Sequence, residues 1–355
     1  MRWRMLGVLV LLGAAPPRPL APTADAARVE RVLATLTLDD KIDQLVLAYP
    51  QLDQVAPVRV GGVLFVGNTL KDVTAAKAKI AASTARAKVP PLYAVDMEGG
   101  AINRLASMPI VAQVPSALAM SELTDAEVEQ WGFTVGSAMR EVGLNVNLAP
   151  VLDVAGSGHL FEGERSFGGD PAVVAAKGKA FCDGLARAGV AAIGKHFPGY
   201  GDLAADSDHV LTVAPWTQAQ VDQQLSVFTA VGPSLQGVML SNVAYAPYGD
   251  HPAVLEPKLV ARAQPQGWLT VTDDLAIGTL ATAIHGDAKA VVKQAFLAGN
   301  DLLLTTAPPD WDKGIDYHAV LAAAIAEDPS LVPRLDASVR RVLALKDRLG
   351  LLDGR

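Results

Sequence analysis

Cysteine is all but absent. The 355-residue chain holds one, Cys182, so no intrachain disulfide can form and stability must come from the size of the core. That core is available: 50% of the residues are hydrophobic and 19% are charged, which suits one large α/β barrel or two ordinary domains. Cys182 lies in a stretch of helical character, 173–188, and reads as a small buried hydrophobe. Net positive charge is missing as well. The formal charge is −7 and no basic block occurs, which argues against a nucleic-acid partner. No GxGxxG opens a helix after the first strand-like segment, so a dinucleotide site has no support. No HExxH or His/Cys cluster marks a metal centre. Neither a metal nor a cofactor is expected.

The apolar run Leu6 to Ala15 is too short to span a bilayer as a stable helix. Arg2 and Arg4 precede it, and a Pro/Ala-rich stretch follows with Ala24-Asp25-Ala26. That order predicts a secretory signal cleaved close to Ala26. The expected organisation is a signal peptide over 1–26 and one domain over 27–355. The mature protein is expected to be exported, periplasmic or extracellular, with no stable membrane insertion. No Cys lies nearby to carry a lipid anchor.

Past residue 26, strand-like and helical stretches alternate without low-complexity linkers. Candidate strands are 61–66, 92–95, 144–148, 190–194, 237–240, 268–271 and 301–304. Ala-rich amphipathic stretches, such as Asp125 to Val142 and Ala288 to Ala298, lie between them. This alternation predicts a parallel sheet. A second regularity selects a closed barrel. Strand after strand ends in a polar residue: Asp96, Asn147 with Asp153 beyond it, Lys195-His196, Ser241-Asn242 and Asp273-Asp274. A (β/α)8 TIM-type barrel builds its site in this way, at one rim, whereas a doubly wound sheet gathers such groups at a single switch point. Arg340 to Lys346 reads as a terminal amphipathic helix packed on the barrel.

The most informative stretch joins the apolar run Gly189 to Gly194 to Lys195-His196-Phe197-Pro198-Gly199-Tyr200-Gly201 and then to Asp206-Ser207-Asp208-His209. A charged pair at the end of a buried strand is costly unless it lines a site. This stretch resembles the signature of glycoside hydrolase family 3, in its bacterial β-N-acetylhexosaminidase branch. Four further segments carry the same resemblance, which extends over roughly 30–350. It implies a single-domain (β/α)8 barrel, a carbohydrate substrate and no cofactor. Asp96-Met97-Glu98-Gly99-Gly100-Ala101-Ile102-Asn103-Arg104 resembles a sugar-contacting segment, which implies binding roles for Asp96 and Arg104 and a structural one for Glu98. Ala101 departs from the Arg usual there. Asn147 to Val154 resembles the third-strand segment, with Asp153 in support. Glu164-Arg165-Ser166-Phe167-Gly168-Gly169-Asp170-Pro171 implies that Arg165 binds hydroxyls, a task its planar fork suits. Lys195 and His196 resemble a sugar-binding pair.

Thr270 to Ile277 resembles the segment that bears the nucleophile. The resemblance assigns that role to Asp273, with Asp274 orienting a neighbour. Arg104, Arg165 and Lys195 are expected to surround Asp273 and keep it ionised. A retaining mechanism also needs a group that protonates the leaving oxygen and later deprotonates water. The branch uses a loop His paired with an Asp two residues earlier. Here Asp206 and Ser207 stand in register, Asp208 occupies the His position, and His209 follows one residue late. His209 is the preferred acid/base with Asp206 as its partner; Asp208, or an impaired site, remains open. Tyr200 and Asn242 replace two further histidines of the pattern. The expected activity is retaining exo-hydrolysis of terminal β-linked N-acetylglucosamine from cell-wall fragments or chitin-type oligosaccharides. The alternatives are another exo-glycosidase, a glycoside phosphorylase, or a sugar-binding protein without catalysis.

Overall fold

Eight short parallel strands form the centre of the computed structural model, which describes residues 18–49, 59–307 and 314–355. They are β1 (Val46–Ala48), β2 (Gly62–Phe65), β3 (Leu92–Val95), β4 (Val146–Asn147), β5 (Ala191–Phe197), β6 (Gly237–Leu240), β7 (Leu269–Thr272) and β8 (Leu303–Thr305). Each pairs in parallel with the next from β1 to β7, and β8 pairs with β1. One parallel bridge, Val271 to Leu302, joins the β7 and β8 edges, supported by the bond from Thr272 N to Leu302 O at 3.0 Å. The result is the (β/α)8 barrel.

Two strand expectations need correction. Val46–Ala48 is a barrel strand absent from the candidate strands, although it lies in the apolar run Leu45 to Tyr49. And β5 does not stop at Gly194. It runs on through Lys195 and His196 to Phe197, with a register shift between Gly194 and Phe197, so the charged pair lies within the strand.

Alternation along the strands sorts the core into two layers. Leu64, Ala94, Val146, Ile193, Met239 and Val271 belong to the inner cluster. Phe65, Tyr93, Val95, Phe197 and Val238 belong to the outer one, packed beneath the helices. The C-terminal helix Val332–Arg348 joins the inner cluster through Val342 and Leu345, and its C-cap Leu349 joins it too. It is tied to the β7–β8 connection by the Arg341 fork on Asp301, at 2.7–3.0 Å. The helices Asp125–Val142 and Pro171–Arg187 approach closely through glycine. A Cβ on Gly184 would lie 2.1 Å from the Glu129 carbonyl oxygen, so no larger residue fits without displacing a helix. Cys182 is wholly buried, and burial pushes its thiol up.

The chain before the first helix, Ala26–Ala34, is part of the fold. Leu20 N donates to Ala186 O at 2.8 Å, and Ala21 N to Arg348 O at 3.1 Å. Asp25 caps the helix by accepting from Arg28 N and donates its own N–H to Asp347 at 2.7 Å. Arg2, Arg4 and the run Leu6 to Ala15 lie outside the described residues. Among the described residues, no helix is long and apolar enough to cross a membrane.

Candidate active site

The barrel delivers its polar side chains to the C-terminal ends of the strands. Asp96 follows β3, Lys195 and His196 belong to β5, Ser241 and Asn242 follow β6, and Asp273 and Asp274 follow β7. Beyond β3 the chain turns through a small hairpin, Met97–Gly99 with Ile102–Asn103, which carries Glu98 inward. Glu98 is the electrostatic centre of the rim. Arg165 holds it with two bonds, Nε to Oε2 at 2.8 Å and Nη2 to Oε1 at 2.9 Å. Lys195 Nζ lies 2.6 Å from Glu98 Oε1 and 2.6 Å from Asp96 Oδ1. Two cations therefore meet two carboxylates, and no isolated charge is left buried. Burial pushes the Glu98 carboxyl up, but Lys195 and then Arg165 outweigh it and hold the group well below the usual carboxylate range. Burial acts against the Lys195 charge as well, and Asp96 and Glu98 raise it overall.

This pairing corrects the expectation for Asp273. Lys195 and Arg165 are committed to Asp96 and Glu98, and neither forms an ion pair with Asp273 among the described residues. Arg104 also stands apart from the network, with its Nε buried and unpartnered. What Asp273 receives instead is the backbone N–H of Asp274, at 2.8 Å to Oδ1. Its second oxygen accepts no hydrogen bond among the described residues. Asp274 is braced more fully: Oδ1 accepts from Ala276 N and Thr306 N, and the Thr306 hydroxyl donates to Oδ2. Burial pushes Asp274 up. The first carboxylate is free to react and the second is occupied in holding the loop.

Asp153 is fully buried and acts as a scaffold acceptor. It takes the backbone N–H of His196, the Nδ1–H of the same residue at 2.8 Å, and Tyr200 N at 2.6 Å. The Nδ1 bond orients the His196 ring and leaves Nε2 as its free edge. Tyr200 stacks its edge against that ring, with centroids 6.0 Å apart. Its hydroxyl donates to Ala205 O and accepts from Ser207 N. The substitution of Tyr for His thus has a structural consequence: the phenol clamps the following loop. Asn242 donates to Asp274 O at 3.2 Å, and its Oδ1 is buried without a partner.

The loop groups separate. His209 is 81% exposed in its side chain, and its Nε2 lies 3.8 Å from Asp206 Oδ2, beyond hydrogen-bond reach. A second imidazole, His159 from the short helix Gly158–Glu162, approaches the same oxygen at 3.9 Å. An isolated His in a five-residue helix gave no signal in the sequence. Asp208 is an exposed residue, yet its carboxyl is pushed up to about 6, by partial burial first and then by the charges of Asp273 and Asp206. Among the described residues no cluster of His, Cys, Asp and Glu has the arrangement of a metal site.

Chemically, the rim offers one unoccupied carboxylate oxygen on Asp273, a carboxyl on Asp208 poised near neutrality, and donors on Lys195, Arg165 and His196. Arg165 Nη1 has no protein hydrogen bond among the described residues and remains available to a hydroxyl. This is equipment for displacement at a sugar carbon.

A sequence model of the Glycosyl hydrolase family 3 N terminal domain matches residues 37–345. The beta-hexosaminidase LpqI of Mycobacterium tuberculosis is 30% identical over 94% of this chain and 89% of that protein. The beta-hexosaminidase of Bordetella avium is 30% identical over 80% of this chain and 81% of its own length. Among solved structures, the beta-N-acetylhexosaminidase from Beutenbergia cavernae superposes with a TM-score of 0.76 at 28% identity, covering 87% of this chain and 98% of that one.

Proposed function

We propose that this chain, which belongs to glycosyl hydrolase family 3, removes terminal β-linked N-acetylglucosamine from cell-wall fragments or chitin-type oligosaccharides with net retention at the anomeric carbon. At the coarser level it is a glycoside hydrolase of the β-N-acetylhexosaminidase kind. The observation that carries the finer reading is the free oxygen of Asp273 at the same rim as the Asp96, Lys195 and Glu98 cluster.

In this reading Asp273 attacks the anomeric carbon and forms a glycosyl ester, which water then cleaves. Asp96, Lys195, Arg165 and His196 hold ring hydroxyls and so fix the distance of attack. The test is turnover of a nitrophenyl N-acetyl-β-glucosaminide, with the first-formed product anomer read by NMR. Retained β-anomer supports the proposal, whereas α-anomer overturns the mechanism. Accumulation of glycosyl phosphate when inorganic phosphate is added would make the enzyme a phosphorylase. Binding of N-acetylglucosamine without turnover would make it a lectin-like binder.

Export is part of the same proposal. The contacts of Leu20, Ala21 and Asp25 favour a cut upstream of Arg18 over one at Ala26, since a cut at Ala26 removes a helix cap and the backbone N–H bonds of these residues to Ala186, Arg348 and Asp347. N-terminal sequencing of the protein from its host is expected to begin at or before Arg18. Intact Met1 in a cytosolic fraction would sink the export proposal.

A further inference from the structure

We propose that Asp208, in place of His209, is the general acid/base of this site. The assignment rests on the glycosidase reading above and concerns which loop group moves the proton.

The geometry of the turn separates two adjacent side chains. Asp206 O accepts both His209 N and Val210 N, and Asp206 Oδ1 accepts Asp208 N at 3.0 Å. Ser207 is buried and clamped from both sides. Its N–H meets the Tyr200 hydroxyl at 2.9 Å, and its carbonyl accepts from Thr279 Oγ1 at 3.2 Å. Thr279 lies in the helix Gly278–Ala283, directly downstream of Asp273 and Asp274. The loop is therefore tethered to the segment that bears the nucleophile. In this turn the His209 ring stands in solvent, with no hydrogen bond to orient it among the described residues.

Asp208 is placed differently. The charged and titratable groups that act on it are Asp273 and Asp274 beyond β7, His196 of β5, and Asp206 of its own loop. Partial burial and then the Asp273 charge bring its carboxyl to about 6. A general acid works best with a pKa near the working pH.

The steps balance. In the first, an Asp273 oxygen bonds to the anomeric carbon. The glycosidic C–O bond breaks, its electron pair goes to the leaving oxygen, and the Asp208 proton follows. Asp273 is then an uncharged ester, so its share of the upward push on Asp208, second to that of burial, is gone and the carboxylate form gains ground. In the second step Asp208 takes a proton from water as the water oxygen bonds to the anomeric carbon. The ester bond breaks and its electron pair returns to Asp273. A carboxylate in this position repels a phosphate dianion, so water is the acceptor.

The test uses the full chain. Wild-type turnover of the nitrophenyl substrate comes first, because its absence would overturn the glycosidase reading and not the assignment alone. Given turnover, Asp208→Asn is expected to lose about 10²–10⁴-fold in kcat/KM on a disaccharide. The loss in the glycosylation step of the nitrophenyl substrate, whose leaving group needs little protonation, is expected to be much smaller. Added azide should restore deglycosylation and yield glycosyl azide. His209→Ala should lose less than about tenfold, well short of a general acid's contribution. In the wild type, kcat/KM should fall as pH rises through about 6, with a midpoint nearly independent of temperature, as for a carboxyl. A larger loss in His209→Ala, with azide rescuing only that variant, would overturn the assignment. So would a midpoint that shifts with temperature as an imidazole does, or an Asp208→Asn enzyme equal to wild type on the disaccharide.

Discussion

Asp273→Ala is expected to lose on the order of 10⁴–10⁶-fold in kcat, the scale seen when a catalytic nucleophile is deleted, with little change in thermal stability. The two halves of this expectation have separate causes. The rate falls because no other carboxylate stands ready: Asp274 is held by Ala276 N and by the backbone and hydroxyl of Thr306, and Asp153 by His196 and Tyr200. The fold survives because Asp273 is only part-buried and its one side-chain bond is to the backbone N–H of Asp274, which water can satisfy. A fluorinated N-acetylglucosaminide that slows the second step should label Asp273, as read by peptide mass spectrometry. A label on Asp274 or Asp153, or an Asp273→Ala enzyme within about tenfold of wild type, would transfer the role.

Glu98→Gln should have the largest effect on stability, a loss of about 3–5 kcal/mol, because removing one partner of a buried ion-pair cluster leaves charge without compensation. Arg165 loses its bidentate acceptor, and Lys195 keeps only Asp96. Urea unfolding at neutral pH measures the loss. The pH dependence has a definite sign. Although burial pushes Glu98 up, Lys195 and Arg165 bring it well below the usual range, so its folded pKa lies beneath an unfolded value of about 4.3. Its stabilisation is fully present above that value and is lost as pH falls below it. The difference between wild type and Glu98→Gln should be flat near neutrality and shrink below about pH 4. A difference under about 1 kcal/mol at neutral pH would mean that the pairs contribute no more than exposed ones do.

Much of the scaffold was legible because it is written locally. Seven of the eight strands lie in apolar or alternating segments that the sequence displays, and their polar ends pointed to a closed barrel with one functional rim. Val46–Ala48 lies in a short apolar run, Leu45 to Tyr49, between a helix and the residues before β2; its pairing with β2 and β8 defines it as a barrel strand. The end of β5 escaped for a different reason. Lys195 and His196 look like residues beyond a strand, yet Asp96 and Glu98 beyond β3 and Asp153 beyond β4 compensate them and let the strand continue.

The residue types of the rim, and their delivery by successive strand ends, were determined by the sequence itself, since side-chain alternation and segment order suffice for that. Which charge meets which was decided only by the tertiary structure. Lys195 and Arg165 were equally plausible beside Asp273 until the hairpin carried Glu98 between them, and the energy of an ion pair depends on separation and burial that chain order does not encode. The same holds at the loop. Asp208 and His209 are adjacent in the chain, but a turn pinned by Asp206, Tyr200 and Thr279 places the first within the field of Asp273 and turns the second out to water.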